Sequence, residues 1–270
     1  MRSVRIKVCL AALLVAGLWS LGAAEGLRGN PYGRELDALR RAYPQAGIAV
    51  VEDAGGFFIS LGGERIFLGP KAGCPEPPHP DHPEDAPLCA SFVQPYPAGA
   101  GHRHPAAGFE PGRVRNEALL KSLYGGTARE VEAGLREVDF FGEKLRFSDR
   151  HGAGAALDRV KAKLAALVRE KPDVAAYILP TGGTYAWRKI SKSPRLSAHS
   201  FGVCIDLNIE KGIYWQWKPS PKVEKDAREK YPQEIVDIFE AEGFIWGGKW
   251  YSFDFMHFEY RPELLLYAKE

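Results

Sequence analysis

The sequence has no excess of charge of either sign: 36 lysines and arginines stand against 34 acidic residues, a formal charge of +2. Arg2, Arg5 and Lys7 lie within the first 24 residues, which hold no acid, so residues 25–270 carry −1. A chain this close to neutral lacks the basic footprint that nucleic acid requires, and has no charge-based hold on an anionic membrane. Long apolar runs are missing beyond residue 21, which excludes a membrane helix there. Internal repeats are missing too. Cysteine is scarce, with four in the chain. Cys74 and Cys89 flank a proline-rich stretch where an exported protein can form a disulfide. Cys204, between Val203 and Ile205, reads as a buried small hydrophobe. Cys9 opens the N-terminal apolar run instead of following it, which does not suit a lipid-attachment cysteine.

At the N-terminus there is a basic stretch over residues 1–7, an apolar run over 8–21 and the small residues Gly22-Ala23-Ala24. That is the pattern of a secretory signal peptide cut after Ala24. The run is shorter than the roughly 20 apolar residues of a membrane helix, which disfavours an uncleaved anchor. The protein is therefore expected to be periplasmic or secreted, free of the membrane after cleavage, and a monomer.

The remainder divides into a β-rich extension with a proline-rich excursion over residues 25–112 and a second domain over residues 113–270. Residues 32–42 predict a helix, and the apolar runs at 48–51, 57–61 and 65–68, separated by glycines, predict a meander. Prolines crowd residues 70–112 and forbid continuous helix or central strand. Helix is predicted again over 116–123. Another is predicted from Thr127, with the capping-box spacing to Glu130, as far as about Val138. A hairpin is expected around Gly142, an amphipathic helix over 155–170, a buried strand over 175–179, a helix over 231–242 and aromatic strand from 244 to 260. The class is α+β.

The informative stretch is Ser197-Ala198-His199-Ser200-Phe201-Gly202-Val203-Cys204-Ile205-Asp206. Residues 203–207 read as an interior strand, where an aspartate needs a cation or metal to offset its burial. Seven extended residues would separate His199 from Asp206 by roughly 23 Å. The chain must therefore turn back between them, and Gly202 permits it. A second stretch, Asp254-Phe255-Met256-His257, sets a histidine among aromatics three residues after an acid. Those two meet only across a bend or one helical turn. Two histidines and a carboxylate leave a fourth zinc position for water, the catalytic pattern.

This Ser-x-His, Asp and Asp-x-x-His series resembles the zinc D-Ala-D-Ala carboxypeptidase and dipeptidase family, which includes the L-Ala-D-Glu endopeptidases of phage endolysins. The resemblance spans residues 173–260. It implies a small, mostly antiparallel sheet with helices and a zinc site at the sheet. It further implies His199, Asp206 and His257 as ligands, Asp254 as general base, and peptidoglycan stem peptides as substrate. The family base is often glutamate, so Asp254 is a departure. An arginine upstream of the histidine motif is also implied, to hold substrate and the tetrahedral oxyanion. Arg188, after Gly182-Gly183, is preferred for that role over Arg195, which otherwise reads as a loop charge. A zinc-holding module that binds cell-wall peptides without cutting them is the alternative. An accessory role for the N-terminal half has no motif behind it.

Several features have simpler readings. His79, His82, His102 and His104 lie in the proline-rich excursion and match no zinc spacing, so they read as solvated. Trp215 and Trp217 suit a loop beside the site, and Trp246 suits core packing. Residues 224–230 form a charged run that reads as a solvent-facing surface.

Overall fold

The computed structural model describes residues 30–76, 86–191 and 193–269. The expected signal peptide, Cys9, His79 and His82 lie outside these residues. Among the described residues no helix is long and apolar enough to cross a membrane.

The fold is α+β, built on three small antiparallel sheets. The first helix, α1 (Gly33–Ala42), buries Leu36, Ala38 and Leu39, and packs on the last, α8 (Pro262–Tyr267). The meander forms as predicted, with β1 (Ala49–Asp53), β2 (Gly56–Leu61) and β3 (Glu64–Gly69) side by side. Its described proline-rich continuation holds only a short 3-10 turn, Leu88–Ser91, and Cys74 is bonded to Cys89.

Asn116 caps α2 (Glu117–Tyr124) by accepting a bond from Leu119 N, and Thr127 and Glu130 form the capping box of α3 (Ala128–Glu132). The helix expected to reach Val138 stops here. Gly134 interrupts it, and Leu135–Phe140 pairs instead as β4 with β5 (Glu143–Ser148). Strand pairing overrides helix propensity once Val138 and Phe140 can both face the core. Phe141 and Gly142 take the positive φ of a two-residue hairpin turn. Helix α4 (Ala153–Glu170) then lays Leu157, Val160, Leu164 and Leu167 against this hairpin and α7 (Gln233–Ala241).

The strand expected over 175–179 is a short helix, α5 (Ala175–Ile178), followed by a cis Leu179–Pro180 bond. An apolar run this short does not distinguish strand from helix by periodicity. Here Pro172 opens a helical turn, and the Asn208 side chain binds the carbonyls of Ala176 (2.9 Å) and Leu179 (2.6 Å). The 244–260 segment is two strands, β7 (Phe244–Trp246) and β8 (His257–Tyr260), with a loop between. With β6 (Cys204–Asp206) they form a sheet of order β6-β8-β7. The charged run lies in α6 (Pro221–Lys230), but Arg228 points inward and donates to Arg103 O and Gly248 O, each at 2.9 Å.

One hydrophobic core runs from α1 to α8 among the described residues. Lys249, 1% exposed, donates to Pro97 O (2.6 Å), Gly99 O (2.8 Å) and Glu240 Oε1 (2.5 Å). Tyr96 OH donates to Glu240 Oε1 at 2.7 Å and accepts from Trp246 N at 2.8 Å. Removing one partner of a buried ion pair leaves the other charge uncompensated, at about 3–5 kcal/mol. Lys249→Met is therefore expected to lower unfolding free energy by about that much. Urea denaturation checks this, and an unchanged midpoint would contradict it.

Candidate metal centre

His199 stands on a 3-10 turn, Ala198–Phe201, that ends at Gly202 in the left-handed conformation (φ 65°). A side chain at that position would also strike Leu135. The turn brings His199 back over Asp206, as the spacing required. Asp206 ends β6 and lies directly across from His257, which begins β8. Opposed residues of an antiparallel pair hold their Cβ atoms about 4.5–5.5 Å apart, so strand register alone sets these two side chains together.

Three donor residues converge. His199 Nε2 is 3.2 Å from Asp206 Oδ2, His257 Nδ1 is 2.9 Å from Asp206 Oδ1, and the two imidazole nitrogens are 3.3 Å apart. A tetrahedral ion with bonds of about 2.0–2.1 Å needs donors about 3.3 Å apart, so this set fits one. His199 Nδ1 lies 2.6 Å from Thr184 O. A carbonyl only accepts, so Nδ1 carries a proton, and with an ion bound the Nε2 lone pair would be free to face it.

The electrostatics point the same way. Burial raises the Asp206 carboxyl, but the facing His199 and His257 outweigh it and hold the group well below the usual carboxylate range. Burial opposes charge on His257, yet Cys204, Asp206 and Glu259 together raise it well above the ordinary imidazole range. Without an ion, a proton on His257 meets the demand for positive charge, and a divalent cation displaces such a proton on binding.

Asp254 lies in the loop between β7 and β8. Its N–H donates to Gly247 O (3.0 Å), its carbonyl accepts from His257 N (3.3 Å), and it bridges to Tyr214. This is the bend that the Asp-x-x-His spacing demanded. Gly247 is needed for close approach, because a Cβ there would lie 2.6 Å from Asp254 O. Asp254 Oδ1 is buried without a hydrogen-bond partner. Burial pushes this carboxyl up to about 6, with the Asp206 charge adding to the shift and His257 opposing it.

His199, Asp206, Asp254 and His257 line one cavity of about 570 Å³. Arg188 and Arg195 line it too, but differ. Arg195 is 7% exposed and donates to Arg115 O at 3.4 Å. Arg188 is exposed, and its guanidinium has no partner among the described residues. Its backbone is fixed by Ser200, whose hydroxyl accepts from Arg188 N (3.0 Å) and lies 2.8 Å from Arg188 O. The 181–188 segment follows a helix and not the expected strand. Gly182 and Gly183 nevertheless pair with Asp206 along the free edge of β6.

Sequence reasoning missed part of the wall. Arg113 and Arg115 also line the cavity, and the Trp250 ring stacks obliquely over His257 with its Nε1–H on Pro111 O (2.8 Å). No spacing signal links residues 111–115 to motifs some 80 positions later. Trp217, 55% exposed, stands at the cavity beside Tyr214, whereas Trp246 and Trp250 are buried. Cys204 is fully buried, and burial pushes its thiol up to about 11, as befits an inert core residue.

Residues 191–260 match the family model described as D-alanyl-D-alanine carboxypeptidase. The matched stretch holds His199, Asp206, Asp254 and His257 and leaves Arg188 outside. No curated protein and no solved structure matches the chain.

Proposed function

We propose, from the match of residues 191–260 to the D-alanyl-D-alanine carboxypeptidase family model, that the chain is an exported zinc peptidase cutting peptidoglycan stem peptides, of the D-Ala-D-Ala carboxypeptidase type. The observation that carries the reading is the convergence of three donor residues, with pairwise contacts of 2.9 to 3.3 Å, in one cavity with Asp254, whose Oδ1 is buried without a hydrogen-bond partner. His199, Asp206 and His257 would hold the ion. Two imidazoles and one carboxylate with an open position suit zinc, which supplies Lewis acidity and lowers the pKa of bound water.

The protein's own residues do the rest. Asp254 Oδ1 has no competing hydrogen bond, so it is available to take a proton from the attacking water and return it to the leaving amine. The exposed guanidinium of Arg188, at the cavity, receives the substrate carboxylate or the developing oxyanion. Arg113, Arg115 and Trp250 line the same cavity.

The test is mass spectrometry of products from defined muropeptides, with zinc supplied and then chelated. Release of D-alanine only with zinc is expected. One bound zinc with no cleavage would favour a binding module instead.

The pH profile gives a second check. The base works only when ionised, so kcat/KM rises with pH through its pKa. Burial places that value at about 6 in the metal-free protein. A cation alongside favours the carboxylate and moves it down. The acid limb is therefore expected at or below about pH 6, and one well above 7 would refute Asp254 as the base.

A further inference from the structure

Behind the three donors lies a buried charge network that the proposed reaction does not use. Residues two apart on a strand share a face of the sheet. Glu259 therefore stands beside His257 on β8, and opposite Cys204 on β6. Glu259 is fully buried, and its carboxylate takes a two-pronged bond from Arg115, with Nε at 2.9 and 2.7 Å and Nη2 at 2.7 Å. Arg261 Nη1 adds a contact at 3.4 Å. The His257 ring thus has carboxylates on both sides: Asp206 at 2.9 Å from Nδ1 and Glu259 at 3.6 Å from Nε2. Nε2 is buried with no hydrogen-bond partner of its own.

Cys204, His257 and Glu259 also come close enough to count as a second donor cluster. The arginines exclude a cation there, because both Glu259 oxygens are already committed to Arg115. What two guanidiniums can do is keep a fully buried carboxylate ionised and fixed.

We propose that Glu259 is a positioning residue: with the ion bound, it holds the remaining His257 proton on Nε2 and so leaves the Nδ1 lone pair to the ion, beside Asp206 and His199. The inference rests on the reading of those three residues as a metal site. Carboxylates behind ligating histidines serve this purpose, and their loss typically costs about 10- to 100-fold in metal affinity. The arrangement mirrors His199 across the site, where Thr184 O holds the proton on the outer nitrogen.

The experiment measures the zinc dissociation constant of full-length wild type and Glu259→Gln by chelator competition, with folding checked by circular dichroism. The expected result is one zinc per chain in both, bound about 10- to 100-fold more weakly by the variant. Unchanged affinity in folded Glu259→Gln would overturn the proposal, since a purely structural carboxylate would lower thermal stability and leave affinity alone. Should that variant not fold, nitrogen-15 NMR of the zinc-loaded wild type decides. A His257 protonated at Nε2 supports the proposal, and one protonated at Nδ1 overturns it. Failure of the metal reading looks different, because the wild type itself would then bind no zinc.

Discussion

Asp254→Ala is expected to keep one zinc ion and lose hydrolysis, with kcat reduced by about 10²- to 10⁴-fold, the usual scale of a general base. Its position is set by the backbone: Asp254 N on Gly247 O, His257 N on Asp254 O, and the bridge to Tyr214. None of these bonds needs the carboxylate, so the loop should persist in the variant. Asp254 Oδ1 also has no hydrogen bond to lose. Removing a carboxylate whose Oδ1 is buried and unpartnered relieves a desolvation penalty, so thermal stability should hold or rise while turnover falls. Steady-state kinetics, a melting curve and metal analysis of one preparation check all three parts. Undiminished hydrolysis would end the base assignment. A collapse in stability would mean that the side chain has a structural role.

His199→Ala should behave in the opposite way, losing metal and activity together. The His199 imidazole contributes one of three converging donors, and its orientation is set by the bond to Thr184 O. His257 and Asp206 are already turned toward the same point, so the site loses one of its three donor residues. Loss of a direct ligand should cost more than the ~100-fold upper range for an outer hydrogen-bond partner. Wild type at 100 times its zinc dissociation constant gains about 2.7 kcal/mol of stability from binding. In the variant that increment should vanish, which melting with and without zinc will show. A variant that still binds zinc at wild-type affinity would remove His199 from the ligand set. Together the two substitutions separate holding the ion from using it.

Local chemistry made the helices and turns readable. The Thr127–Glu130 capping box, the apolar stripe of α4 and the positive-φ turn at Gly142 each depend on neighbours within a few residues, and each appears where the pattern placed it. Misreadings arose where partners distant in sequence decided the outcome. Residues 135–140 became strand because β5 was there to pair with. Residues 175–178 became helix, with their carbonyls bound by Asn208 some 30 positions later. Arg228, inside a charged run, turned inward because Arg103 O and Gly248 O offered it acceptors.

The candidate metal centre divides in the same way. The sequence alone determined that His199 must double back on Asp206, that Gly202 must be the turn, and that Asp254 and His257 need a bend between them, because each is a constraint on chain reach over a few residues. Only the tertiary structure decided that Asp206 and His257 face each other across a strand pair. It alone also set Thr184 and Glu259 behind the two histidines, brought Arg113 and Arg115 round to the cavity wall, and placed Pro111 O on the Trp250 indole. The reason is physical: strand register and buried ion pairing join residues 50 to 150 positions apart, and no short-range pattern encodes which of many acceptable partners the folded chain will bring together.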